Sequence, residues 1–138
     1  MSFREKSAWA MGAVMVFTGL LYLRLLWAVP ADASPQSQLG PLIPYLFAVV
    51  VASIAVQVVL AIVSRGDPRR PADERERAAI HKAGHWAGFV LAAAAIKGAM
   101  LYLWQGEGAV LFQWLIGSLI FSQFAAYALQ VYFFRRGV

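Results

Sequence analysis

The chain contains no cysteine, so disulfides and thiolate chemistry are excluded, and nothing in it reports the redox state of its compartment. Charge is also sparse. Only 14% of the residues are Asp, Glu, Lys or Arg, against about 25% in an ordinary soluble domain. The shortage is greatest for acids, and it has a pattern: none of the seven falls inside the four longest apolar runs. Those runs therefore hold no inward pair of carboxylates for acid–base work. With two histidines in all, there is also little material for a metal cluster.

Apolar residues are abundant. They make up 61% of the chain, against about 45–50% in a soluble domain. Four spans of about 20 residues consume most of 138 residues, which leaves one domain and no length for a soluble catalytic unit. The expected fold is all-α, a polytopic bundle of four transmembrane helices. The spans are expected over 7–29, 42–63, 84–104 and 109–134, with a longer connection over 64–83. The second run is rich in valine, but lipid offers no partner to an open strand, so a helix is required there too. Pro41 and Pro44 mark its start, where missing N–H groups cost little.

Lysines and arginines alternate with these runs. Arg65, Arg69, Arg70, Arg75, Arg77 and Lys82 all lie between runs two and three, whereas the connections after runs one and three carry no basic residue. Basic loops stay in the cytoplasm, so both termini and the 64–83 loop are expected inside. The net charge of +5 then reflects orientation and attraction to anionic lipid head groups, not direct contact with nucleic acid. Ala31-Asp32-Ala33 looks like a cleavage site. The run before it exceeds the usual 7–15-residue signal core and is interrupted by Arg24, so an uncleaved first helix is expected. Trp9, Trp27, Trp86, Trp104 and Tyr132 fall near the boundaries as an interfacial belt.

Within the 64–83 connection, Gly66-Asp67-Pro68 and Pro71 break structure, and Asp73 then reads as the N-cap of a helix. Glu74 and Glu76 sit near its positive dipole end. This helix is expected to continue through His81 and His85 into the third span. Paired motifs also raise a parallel duplication. Trp9-Ala10 matches Trp86-Ala87, Leu21-Tyr22-Leu23 matches Leu101-Tyr102-Leu103, and Arg65-Gly66 matches Arg136-Gly137.

Three sets of residues are candidates for function. The first is polar groups inside the spans: Arg24, Gln57 and Lys97. Lys97 is the most expensive, since a charge at mid-span costs roughly 2.5–3.5 kcal/mol on insertion scales. It has three readings: snorkelling outward, hydrogen bonding inside the bundle, or lining a pocket for an anion or a proton relay. Arg24 is expected to snorkel. If both turned inward, they would form a basic vestibule facing Asp32 and Glu107. Gln113, Gln123, Gln130, Ser53 and Ser122 are expected to make interhelical hydrogen bonds worth about 1 kcal/mol each. The second set is the charged segment Asp73, Glu74, Arg75, Glu76 and Arg77 with His81, His85, Arg135 and Arg136. His81 and His85 are four apart on one helical face, which suits a metal or a haem ligand. A structural site needs three or four ligands, so no metal and no cofactor is expected. The third set is the small residues Gly84, Gly88, Ala92, Ala95 and Ala99, with Ala8, Gly12 and Gly19, and with Gly117, Ser118, Ser122 and Ala126. These are helix contact faces, within the bundle or in a homodimer.

The opening Ser2-Phe3-Arg4-Glu5-Lys6-Ser7-Ala8-Trp9, the run Ala72-Asp73-Glu74-Arg75-Glu76-Arg77, Lys82-Ala83-Gly84-His85, and the closing Phe133-Phe134-Arg135-Arg136-Gly137-Val138 resemble a group of small bacterial four-helix membrane proteins. That group is classed as a domain of unknown function. The resemblance implies residence in the bacterial inner membrane. It also implies a cytoplasmic partner such as a helix-turn-helix regulator, because some members stand beside such regulators. The expectation is a non-enzymatic interaction or sensor protein acting through its cytoplasmic loop. The alternative is a small transporter or ligand- or lipid-binding protein using Lys97 and Arg24. Small multidrug transporters are of comparable size, but their membrane carboxylate has no counterpart here.

Overall fold

A computed structural model describes residues 3–30, 33–63 and 71–136. Four helices account for nearly all of them: α1 (Phe3–Trp27), α2 (Leu42–Val63), α3 (Glu74–Gln105) and α4 (Gly108–Arg136). Each is long and apolar enough to cross a membrane, so the chain has the makings of a multi-pass membrane protein. The expected spans fall within these helices or within two residues of their ends. Arg65, Arg69, Arg70 and the Gly66-Asp67-Pro68 break lie outside the described residues, as do Ala31 and Asp32.

In the connection before α2, Pro35–Leu39 forms a short 3-10 turn. The Ser37 backbone and hydroxyl both donate to the Ser34 carbonyl, which closes the turn locally. At the α3–α4 connection, Gly106 adopts φ 72° and its N–H caps the Tyr102 carbonyl at 2.7 Å. This left-handed position strains any side chain, and glycine lets the chain reverse within two residues.

The helices pack in the order α2, α1, α4, α3. α1 and α4 are central, α2 lies against α1, and α3 lies against α4. No other pair of these helices makes more than marginal contact among the described residues. The parallel duplication that the paired motifs raise is not expressed in this packing. Exchanging α1 with α3 and α2 with α4 would convert the α1–α4 contact into an α2–α3 contact, which is at most marginal among the described residues.

Close approach explains the small residues of α1. An added Cβ at Gly12 would touch Tyr127 at 3.6 Å, and one at Gly19 would press Ile120 at 3.2 Å, so this face is the seam with α4. On α3 the seam is displaced from the expected stripe. The buried residues are Ala79, Ala83, Ala87 and Gly98, and a Cβ at Gly98 would come within 3.0 Å of Trp114. Gly84, Gly88, Ala92 and Ala99 are exposed, and nothing lies within 4 Å of a Cβ at either glycine. α3 therefore has two faces of small residues, of which α4 uses one.

Candidate functional site

The polar and charged groups collect at the two ends of the helix assembly. One of them, the terminal end, carries the start of α1 and the finish of α4. The start of α3 joins them. Asp73 is its N-cap in extended conformation. Its Oδ1 accepts the Glu76 N–H at 2.7 Å, and its own N–H donates to Glu76 Oε2 at 3.4 Å. This reciprocal capping satisfies two backbone donors that the helix cannot. The same Glu76 oxygen lies 3.4 Å from Arg4 Nε of α1. On the other side of α1, Arg135 Nε lies 3.4 Å from Glu5 Oε1, and its guanidinium covers the Trp9 ring.

Under these charges is a small apolar cluster. Ala79 and Ala83, 2% and 0% exposed, pack against Phe133, with Leu129 and Phe134 around them. Lys82 lies over the Phe133 ring and Arg136 over the Tyr132 ring, each about 5.0 Å or less from the centroid. The first turns of α3 are thus ordered by a cap, an ion pair and a methyl-into-aromatic contact. Glu74, Arg75, Arg77, His81 and His85 point away from this core and are exposed. His85 makes an edge contact with Phe89 on its own helix. Among the described residues, no group of three His, Asp or Glu side chains is placed to hold a metal ion.

At the opposite end the links are uncharged. The Tyr22 hydroxyl of α1 donates to Gln113 Oε1 of α4, and Gln113 Nε2 donates to Gln38 Oε1 of the 3-10 turn at 3.1 Å. Tyr45 of α2 stacks edge-on against Tyr22, with centroids 5.3 Å apart. Gln113 thereby ties three segments together. Sequence reasoning singled out Gln113 but not Tyr22, Tyr45 or Gln38.

The structure separates the three polar span residues. Gln57 Nε2 donates to Ser7 Oγ at 2.9 Å, near the terminal end and between α2 and α1. Arg24 and Lys97 lie toward the opposite end, on helices that flank α4, and both are exposed. Neither turns inward, so they form no closed basic vestibule. The Lys97 ammonium lies 4.5 Å from the centre of the Trp114 ring. Ser122 also departs from expectation: it is buried, but its hydroxyl donates to the Leu119 carbonyl of its own helix, and Gln123 is exposed. Ser118 is buried, as a contact-face residue should be, with its hydroxyl on the Leu115 carbonyl.

Compared with protein-family models, curated proteins and solved structures, the chain matches none.

Proposed function

We propose that this is a bacterial inner-membrane protein with both termini in the cytoplasm, and that it acts without catalysis by presenting the terminal end to a cytoplasmic protein. The observation that carries this reading is the joining of three segments distant in sequence into one ordered charged end. The cap, the Arg4–Glu76 pair and the Ala83–Phe133 contact hold the start of α3 in place, and the Arg135–Glu5 pair ties α4 to α1 beside it. Glu74, Arg75, Arg77 and His81 are then displayed on a fixed helix. A display of mixed charge on a rigid element suits recognition of a folded partner, because little ordering entropy is lost on binding. A small helix-turn-helix regulator fits the resemblance noted above. Basic residues clustered at one end favour the cytoplasmic leaflet for that end. A homodimer through the uncovered Gly84–Gly88 face of α3 is part of the proposal.

Two experiments test it. Single cysteines at Ser34 and Pro71, treated with an impermeant reagent in intact cells, should label at 34 and not at 71; the reverse would invert the protein and end the proposal. A Glu74→Ala, Arg75→Ala, Arg77→Ala triple variant keeps Glu76 and hence the cap. It should fail to complement the phenotype of a deletion strain, whereas Lys97→Met should complement. If the triple variant complements and Lys97→Met does not, the working site lies in the spans.

A further inference from the structure

The face between α1 and α3 at the end opposite the termini joins a cation to two apolar clefts. Lys97 is eight residues before the end of α3, hence about 12 Å from it, and Trp114 is six residues into α4, about 9 Å deep. The ammonium over that ring has therefore stayed near the depth of its own backbone. Both ion pairs among the described residues belong to the terminal end, and no described carboxylate pairs with Lys97. A lone ammonium at that depth is costly, and an anion brought to it offsets the cost.

Beside Trp114, a cleft of about 370 Å³ runs between α3 and α4 and includes Ala94 and Ser118. A second cleft of about 370 Å³ runs between α4 and α1 and includes Val16, Leu20 and Leu23. The two share Gln113, Gly117 and Phe121, successive turns on one face of α4, of which Gly117 and Phe121 are exposed. Gly117 is the saddle between them, because a Cβ there would meet nothing within 4 Å. Arg24 follows Leu20 by four residues and so stands beside the second cleft, adding positive potential at the same end.

We propose that this face binds one anionic diacyl phospholipid, its phosphate on Lys97 and one acyl chain in each cleft astride Gly117. Two clefts meeting at one cationic end match two chains leaving one phosphate. Among the described residues no carboxylate lines either cleft, so within the clefts the cationic head group of a zwitterionic lipid meets no described partner. The site is separate from the charged terminal end and does not rest on the function assigned to it.

The test uses the full chain purified in dodecyl maltoside, titrated with phosphatidylglycerol or phosphatidylcholine and read by native mass spectrometry. Wild type should hold one phosphatidylglycerol per chain in clear preference to phosphatidylcholine. Lys97→Met should weaken phosphatidylglycerol about tenfold, the loss of one charge-assisted contact, and Lys97→Arg should retain it. Gly117→Leu should displace the lipid while leaving helix content unchanged by circular dichroism, since the added side chain enters open space. If Lys97→Met lowers helix content, the Lys97→Arg and Gly117→Leu results decide. Equal retention of the two lipids by wild type, or full retention by Lys97→Met or by Gly117→Leu, overturns the proposal. A Gly117→Leu variant that instead abolishes a dimer, with lipid retention unaffected, assigns the face to a second copy of the chain.

Discussion

The two ends of this molecule are tied by different chemistry. At the terminal end, α1, α3 and α4 meet through charges: Arg4 with Glu76, Arg135 with Glu5, and cations over aromatic rings. At the opposite end, α1, α4 and the 3-10 turn meet through a tyrosine and two glutamines, with no ion pair among the described residues. The difference follows from what each environment tolerates. An ion pair withdrawn from water must recover several kcal/mol of desolvation per ion, whereas a hydroxyl bonded to an amide carries no net charge into the apolar region. Charged links belong where water and head groups reach them. Neutral links are the ones a helix assembly can carry deeper. Lys97 breaks this division, because it carries a net charge about 12 Å inside the end of α3.

The comparison can be broken at the terminal end by attacking its packing rather than its charges. Ala83 is fully buried against Phe133. Ala83→Leu should destabilise the protein by about 2–3 kcal/mol through overpacking, read as a lower midpoint of SDS-induced unfolding in mixed micelles. Loss of the half-exposed Arg135–Glu5 pair should cost less than about 1 kcal/mol. An Ala83→Leu midpoint equal to wild type would mean that the charges, not the methyl contact, hold this end. At the opposite end, Gln113→Leu keeps the side-chain volume but strips both partners. It leaves the Tyr22 hydroxyl unpaired in a residue only 2% exposed. The expected cost is about 1–2 kcal/mol by the same measurement, and a neutral result would show that the amide network is incidental.

The architecture was legible in the sequence because each signal was strong and local. Apolar run length marked the four helices, and Asp73 followed by Glu76 marked the start of α3. The pairing of helices was less legible. On α1 the buried residues Ala8, Met11, Met15, Thr18 and Tyr22 follow alternating three- and four-residue steps, a coiled-coil-like seam visible in the sequence, and it contains the tyrosine that was missed. On α3 two small-residue stripes compete. The one expected as a contact, through Gly84 and Gly88, differs from the buried one by a residue, and glycine and alanine look alike at that resolution of pattern. The opposite end depends on Gln38 meeting Gln113 across 75 positions. Such a long-range contact leaves no periodicity to read. The polar span residues were grouped by chemistry alone, whereas the structure sorts them by depth and helix.

The terminal end also carries a smaller, purely local determinant. Asp73→Ala removes the acceptor for the Glu76 N–H and should cost about 1 kcal/mol, the usual value of an N-cap. Its effect should be confined to the first turn of α3. Hydrogen exchange resolved to single residues should show faster exchange at Glu76 and its neighbours, with Ala83 and Ala87 unchanged. Protection lost as far as Ala87 would mean that the cap and the Ala83 contact form one cooperative unit, and the division of this end into cap and packing would fail.

The smallest expected effect on the fold is at Gly88, and that smallness makes it informative. Nothing lies within 4 Å of a Cβ there, and α3 meets α4 through Ala79, Ala83, Ala87 and Gly98 instead. Gly88→Leu should therefore leave the unfolding midpoint of the monomer unchanged. A close helix pair in lipid depends on small residues that let backbones approach, so a leucine at the centre of the uncovered stripe holds two copies apart. If the stripe joins two chains, crosslinking in native membranes should show the dimer fraction falling in Gly88→Leu while the monomer remains folded. Unchanged dimer content would remove this face of α3 from assembly and leave the second small-residue stripe as a surface that packs against lipid alone.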